Sequence, residues 1–183
     1  MISNNLDRLC RRLNYQFNRI DLLKQALTHR SASNDNNERL EFLGDSILSF
    51  VIANALCERF TDENEGHLSR LRSYLVKGER LAEIAMELQL GDYLYLGQGE
   101  LKSGGFRRAS ILADALEAIF AAVFLDGGIA ASQQLILALY ESRLNDDALK
   151  NTLKDAKTQL QEFLQATKLP LPDYVFPELT LED

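Results

Sequence analysis

The stretch Glu38-Arg39-Leu40-Glu41-Phe42-Leu43-Gly44-Asp45-Ser46-Ile47-Leu48 opens an apolar-rich run that continues to about Phe60. With Glu38 at zero and about 100° per residue, Glu41 falls near ~300° and Asp45 near ~340°. The three carboxylates therefore share a sector about 60° wide, while Leu40, Leu43, Ile47 and Val51 fall between about 140° and 220° on the far side. The run reads as a helix with one apolar face and one acidic stripe. The pattern recurs over residues 110–126. With Asp114 at zero, Glu117 sits near ~300°, and Leu112, Leu116, Ile119 and Val123 lie between about 140° and 200°.

Working outward, helical spacing continues nearly everywhere. Leu6, Leu9 and Leu13 recur on one face before the Asn14-Tyr15 turn signal, and Leu22, Leu23, Ala26 and Leu27 form a second helix face after Asp21. Leu68, Leu71 and Leu75, then Leu81, Ile84, Ala85 and Leu88, predict two more helices, the second stopped by Gly91. Four glycines between Gly97 and Gly105 predict a loop. The 110–126 helix should stop at Gly127-Gly128, with another helix over residues 130–144. The three prolines, Pro170, Pro172 and Pro177, all follow residue 169, and residues 145–155 are polar. This divides the chain into a helical body over residues 1–147, a linker over 148–154 and a short C-terminal appendage over 155–183. With no internal repeat and no alternating strand pattern in the body, the fold class is all-α.

The chain has 183 residues, enough for about one domain, and its composition is that of a folded globular protein. Its 20 Lys+Arg against 27 Asp+Glu give a net charge of −7, which taken alone argues against a polyanionic partner. No apolar run is expected to reach the roughly 18–20 residues of a bilayer span, and the N-terminus lacks a basic-then-apolar secretory layout. Cys10 and Cys57 are isolated, so neither a disulfide scaffold nor a cysteine zinc site is expected. A soluble cytoplasmic protein is the working class.

The acidic stripes carry the chemistry. Like charges at i, i+3 and i, i+4 repel by a few tenths of a kcal/mol per pair, and no lysine is interleaved to relieve them. Both stripes lie on the most apolar helices, which belong at the centre of a fold. Carboxylates facing one another there need a cation, and clustered oxygen donors without His or Cys suit a hard ion, Mg²⁺ or Mn²⁺. A di-iron bundle would want Glu-x-x-His on two helices, and neither His29 nor His67 follows a Glu at that spacing. His29 fits a structural hydrogen-bonder better than a base. The glycine-rich segment has neither P-loop nor dinucleotide spacing, but Lys102, Arg107 and Arg108 place three cations just before the second acidic helix. Arg70, Arg72 and Lys77 form another basic cluster, best read as a solvated face. A hard-metal site with cations beside it suits phosphodiester chemistry, the cations holding phosphates.

The segment Asn37-Glu38-Arg39-Leu40-Glu41-Phe42-Leu43-Gly44-Asp45-Ser46-Ile47-Leu48 resembles the signature helix of bacterial ribonuclease III. Leu27-Thr28-His29-Arg30-Ser31, the segment from Gly99 to Arg108, and Ile111-Leu112-Ala113-Asp114-Ala115-Leu116-Glu117-Ala118 match that family in the same order. The resemblance covers residues 4–146 and continues into the tail. It implies an all-helical endonuclease domain that forms a homodimer and holds double-stranded RNA in a valley. Glu41, Asp45, Asp114 and Glu117 would form the Mg²⁺ site, with Asp45 and Glu117 catalytic, and Glu38 and Glu65 would be further acids lining the cleft. Phe42 would be the aromatic knob at the dimer interface. No membrane and no organic cofactor are expected. The implied reaction is Mg²⁺-dependent cleavage of double-stranded RNA, in rRNA precursors and structured transcripts, to 5′-phosphate and 3′-hydroxyl ends with short 3′ overhangs.

From Asp155 to Gln165 and from Lys168 to Tyr174 the tail resembles the first helix and strand of the family's double-stranded-RNA-binding domain, but the sequence then stops at Asp183. The expected alternative to an active nuclease is therefore a weakly active dimer that binds RNA or regulates without a complete RNA-binding domain. The charge also reads differently. Setting aside the six cleft acids and the four acids of residues 173–183 leaves 17 acidic against 20 basic residues, a slight positive surplus.

Overall fold

The computed structural model describes residues 3–145, 149, 156–170 and 172. Among them the chain forms α1 (Ser3–Leu13), α2 (Ile20–Ala26), α3 (Glu38–Arg59), α4 (Glu65–Val76), α5 (Gly78–Glu87), α6 (Gln98–Lys102), α7 (Ala109–Leu144) and α8 (Ala156–Ala166). Single 3₁₀ turns cover Leu90–Tyr93 and Gly105–Arg107. The described residues contain no strand, only one parallel bridge between Thr28 and Tyr95. The chain is all-α, as its periodicity predicts. The linker, apart from a buried Leu149, and the acidic residues 173–183 lie outside the described residues.

The centre is the crossing of α3 with α7, the most extensive helix pair; α2 and α5 pack on α7, and α4 covers α3. From Ile111 to Val123 every residue is buried except Asp114 and Glu117, which are half-buried. An apolar surface on nearly every side is what places a helix at the middle of a bundle. At the crossing the two backbones touch: a Cβ added to Gly44 would lie 1.8 Å from the Glu117 carbonyl oxygen. Glycine is required there by close approach.

α7 is one run of helical hydrogen bonding broken at Gly128, whose φ of 81° and ψ of 179° lie outside the helical region. The predicted stop at Gly127-Gly128 is thus a kink, after which residues 129–144 fold back along the bundle. Ser132 Oγ donates to the Phe120 carbonyl at 2.9 Å and holds the two arms together. Asp126 accepts from Tyr15 Oη at 2.8 Å and from the backbone N–H groups of Asn18 and Arg19 at 3.0 and 2.8 Å, fixing the turn into α2.

Three expectations change. α5 is ended by Gln89, in the left-handed region at φ 55°, rather than by Gly91. Gly91 instead allows a close approach, since a Cβ would lie 2.2 Å from the Phe106 carbonyl oxygen. The glycine-rich segment is a folded unit containing α6 and a 3₁₀ turn, and not an open loop. Its glycines serve contacts: a Cβ on Gly97 would lie 2.2 Å from the Ser31 carbonyl oxygen, and Gly97 N–H donates to Ser31 Oγ at 3.0 Å. Finally, α3 is long and apolar enough to pass for a bilayer span on length and composition. Its apolar side is nevertheless covered by α7 and α4, and two acids lie in its first turn.

Candidate functional site

α3 delivers Glu41 and α7 delivers Asp114 and Glu117 to one place because Gly44 lies between Glu41 and Asp45 at the point of contact. One carboxylate oxygen from each of Glu41, Asp114 and Glu117 falls within 4.8 Å of the other two. The N-terminus of α3 is set by Asn37, which is buried. Its N–H donates to the Thr28 carbonyl at 2.9 Å and its side-chain amide donates to the Ala26 carbonyl at 3.3 Å. The 27–31 segment is tied in turn to residue 95, with His29 N–H donating to the Tyr95 carbonyl at 3.0 Å and Tyr95 N–H to the Leu27 carbonyl at 2.9 Å.

The electrostatics follow from this crowding. Burial, with the charges of Asp45, Glu41 and Asp114, pushes Glu117 up to about 8. Burial and then the charges of Asp114 and Glu38 raise Glu41. Asp114 is raised by burial against the opposing pull of His29 and Arg30. None of the three forms an ion pair among the described residues. Crowded, partly desolvated carboxylates that no ion pair neutralises favour a bound cation, and an oxygen-only donor set suits a hard divalent one.

Glu41 and Asp114, two of the three, line a cleft of about 450 Å³ together with Glu38, Glu100, Arg30 and Arg108, among others, while Glu117 lies outside its lining. Of the other residues expected here, Asp45 is exposed beside the trio and close enough to raise Glu117. Glu38 lies on the cleft wall, paired with Arg30 at 3.4 Å. Glu65 is not brought to the trio. It lies on α4 at a separate hollow of about 420 Å³, lined by Ala53, Leu56, Cys57, Leu68, Ser69 and Arg72. Arg108 reaches the cleft, but Lys102 and Arg107 are exposed outside its lining, Arg107 lying over the Phe106 ring at 5.0 Å. Phe42 is 78% exposed. The expectation for His29 fits its position: Nδ1 lies 2.8 Å from Ser31 Oγ on the cleft wall.

Sequence reasoning missed Gly44, Arg30, Asn37 and Glu100. For Gly44 a signal existed, a glycine inside an unbroken helical pattern at a cost near 1 kcal/mol. Nothing in the pattern singled out Glu100.

An all-helical bundle gathers carboxylates at its central crossing, beside a cleft edged by arginines, which is a donor set suited to metal-assisted hydrolysis of a phosphate ester. The profile of the family described as Ribonuclease-III-like matches residues 19–144. The chain is 71% identical over 175 residues to ribonuclease 3 of Legionella pneumophila strain Philadelphia 1, covering 96% of this chain and 78% of that one. It is 60% identical to ribonuclease 3 of Nitrosococcus oceani, over 94% of this chain and 75% of that protein. Among solved structures, the nuclease domain of ribonuclease III from Campylobacter jejuni superposes with a TM-score of 0.75 at 41% identity, covering 78% of this chain and 97% of that one. A second structure of the Campylobacter domain, with a flexible region involved in dimer formation, gives 0.74 at 42% identity, over 75% of this chain and 96% of that one.

The chain belongs to the ribonuclease III family. It is an endoribonuclease of that type, acting on double-stranded RNA. Membership implies use of a divalent metal, for which the Glu41–Asp114–Glu117 cluster offers the donors.

Proposed function

We propose that the chain is a Mg²⁺-dependent, homodimeric endoribonuclease of the bacterial cytoplasm that cuts rRNA precursors and other structured transcripts. The observation that carries this reading is the convergence of Glu41, Asp114 and Glu117, within 4.8 Å, with Glu41 and Asp114 lining a cleft edged by arginine. Glu41, Asp45, Asp114 and Glu117 hold Mg²⁺, for which Mn²⁺ can substitute. When bound, the ion supplies Lewis acidity and lowers the pKa of water. Asp45 and Glu117 are the catalytic carboxylates, which would hold the ion and orient the attacking water. Water attack at phosphorus with the 3′-oxygen leaving gives 5′-phosphate and 3′-hydroxyl ends, and two cuts offset across the duplex leave short 3′ overhangs. Lys102, Arg107 and Arg108 neutralise strand phosphates, Arg108 from the cleft wall itself.

Dimerisation accounts for two features with no role inside one chain. Phe42 extends into solvent, and the second hollow, lined by Ala53, Leu56, Cys57 and Leu68, is apolar and large enough for a ring. If Phe42 enters that hollow on a second copy, the Glu65 at its rim is carried beside Glu41, the neighbour of Phe42. Glu38 and Glu65 then serve as cleft acids rather than as members of the trio. The body over residues 1–147 carries the nuclease, 148–154 link it, and 155–183 form the start of a double-stranded-RNA-binding domain.

Incubating duplex RNA with the protein in Mg²⁺, with EDTA as control, tests the reading. Cleavage in Mg²⁺ that disappears in EDTA is expected. Binding without cleavage would replace it with a regulatory dimer.

A further inference from the structure

Two hydroxyl-bearing side chains are fully buried on the second arm of α7, and they are satisfied differently. Ser132 Oγ donates to the Phe120 carbonyl at 2.9 Å. Tyr140 is 0% exposed, yet among the described residues its hydroxyl has no hydrogen-bond partner. A buried donor left unpaired is destabilising, and phenylalanine would fill nearly the same space without that cost. A tyrosine here calls for an acceptor close by.

The Ser132–Phe120 bond shows where to look. From it the first arm runs back three residues to Glu117 and the second runs on eight to Tyr140, both away from the kink at Gly128. Helical side chains slant toward the N-terminus of their own helix. Because the second arm folds back along the first, Glu117 and Tyr140 lean toward each other across the seam. The charges agree with this placement. Burial raises the Tyr140 phenol above its ordinary value, Arg143 pulls the other way, and the Glu117 charge adds to the rise. Arg143 itself is engaged elsewhere, its Nη2 lying 2.7 Å from Glu87 Oε1 and 3.9 Å from Glu83 Oε2. Glu117 is also the inward member of the trio, since Glu41 and Asp114 line the cleft and Glu117 does not.

We propose that Tyr140 is a positioning residue for the cation site: its hydroxyl donates a hydrogen bond to the Glu117 carboxylate, directly or through one water, when that carboxylate holds a divalent ion. The inference rests on the reading of Glu41, Asp114 and Glu117 as ligands, and it adds a residue that touches neither the ion nor RNA. Carboxylates that ligate a metal are themselves held by hydrogen bonds from outside the coordination shell, and losing such a bond costs about 10–100-fold in metal affinity. A neutral hydroxyl in the core suits this task. It orients Glu117 without bringing a positive charge to compete with the ion.

The test compares Tyr140→Phe with wild type on the full chain. Mn²⁺ affinity without RNA, followed by the electron paramagnetic resonance signal of the free ion, should weaken about tenfold. The melting temperature of the metal-free protein should stay equal or rise, because only an unpaired hydroxyl is removed. In duplex cleavage the Mg²⁺ concentration giving half the maximal rate should rise about tenfold, while kcat at saturating Mg²⁺ and KM for the duplex stay within about twofold. In a Glu117→Ala background, which removes the acceptor, Tyr140→Phe should change Mn²⁺ affinity by less than about twofold. Equal Mn²⁺ affinity in wild type and Tyr140→Phe would overturn the proposal. So would a full tenfold loss in the Glu117→Ala background, which would make Tyr140 independent of Glu117. A metal-free melting temperature lowered by more than about 2 °C would overturn it too, marking the hydroxyl as bonded within the fold. If wild-type protein binds Mn²⁺ but leaves duplex RNA uncut, the cleavage reading alone is sunk and the affinity ratio still decides for Tyr140. If wild-type protein binds no Mn²⁺, the cation site is lost and this proposal with it.

Discussion

The two sides of α3 are finished to different degrees. Its inner side meets α7 with Gly44 against the Glu117 backbone and with Leu48, Ile52 and Leu56 fully buried. Its outer side leaves Phe42 78% and Phe50 61% exposed, and its C-terminal half lines an apolar hollow with α4. The inner side is completed by the chain itself and gathers the acids. The outer side is an unpartnered apolar surface of the kind that marks an interaction site. One helix therefore carries both the chemistry and the proposed assembly surface, about one turn apart, and each side can be broken without the other.

The largest effect is expected at the inner side. Gly44→Val places atoms where the Glu117 carbonyl oxygen already lies, and since the obstacle is backbone, the helices must separate. Overpacking a core costs about 1–3 kcal/mol, and a backbone clash should reach at least the upper end. The melting temperature should fall by about 6 °C or more, with loss of cleavage. A variant melting within a degree or two of wild type would disprove the close crossing. Next comes Glu117→Gln, which keeps the shape and removes the charge. Cleavage of duplex RNA should fall by about 100-fold or more, while the melting temperature of the metal-free protein at pH 8 stays equal or rises, because a desolvated carboxylate is gone. Retained Mg²⁺-dependent cleavage would remove Glu117 from the catalytic centre.

The outer side should respond in assembly alone. A fully buried Phe contributes roughly 1.5–3 kcal/mol, and a two-fold dimer counts it twice. Phe42→Ala should thus weaken dimerisation by at least about 100-fold in sedimentation equilibrium, leaving the monomer's helix content and melting unchanged. If the variant dimerises as well as wild type, Phe42 is not the knob. If the monomer unfolds, the separation between the two sides of α3 is wrong.

What could be read in advance follows the same division. Periodicity exposes what one helix does to itself, so the all-α class, the i, i+3 acid pairs Glu38–Glu41 and Asp114–Glu117, and the break near Gly128 were legible in the residues. What depends on a second element was not. Gly44 reads as a small helix penalty until α7 is laid against it, and then it is the reason the carboxylates meet. Arg108 carries a visible charge, but its partner Glu100 lies eight residues away across two glycines whose turn no spacing rule predicts. Glu65 looks like one more acid, yet it sits at another hollow, so resemblance grouped what a single chain keeps apart. Phe42 reads from the residues alone as an ordinary core phenylalanine; only the resemblance puts it at an interface, and its 78% exposure shows that the helix itself does not bury it.

The smallest expected effect separates the two sides by pH. Glu117 is raised from the ordinary carboxylate value near 4.5 to about 8 in the folded protein, and Glu41 and Asp114 are raised with it. Between those pH values the folded state binds more protons than the unfolded one, so unfolding releases protons and the unfolding free energy falls as pH rises. The contribution is fully present below pH 4.5 and is lost by about pH 8, where the folded protein must carry the crowded charges. A divalent cation binds the deprotonated carboxylates, so at pH 7 its binding expels close to one proton, and progressively less above pH 8. Isothermal titration calorimetry with Mg²⁺ in buffers of different ionisation enthalpy measures this number directly. Glu117→Gln should cut the release, and Phe42→Ala should leave it unchanged, since no titrating group is added or removed at the outer side. Mg²⁺ binding without proton exchange at pH 7 would mean that Glu117 is already ionised in the metal-free protein. The inner side would then owe its carboxylates' proximity to packing at Gly44 alone.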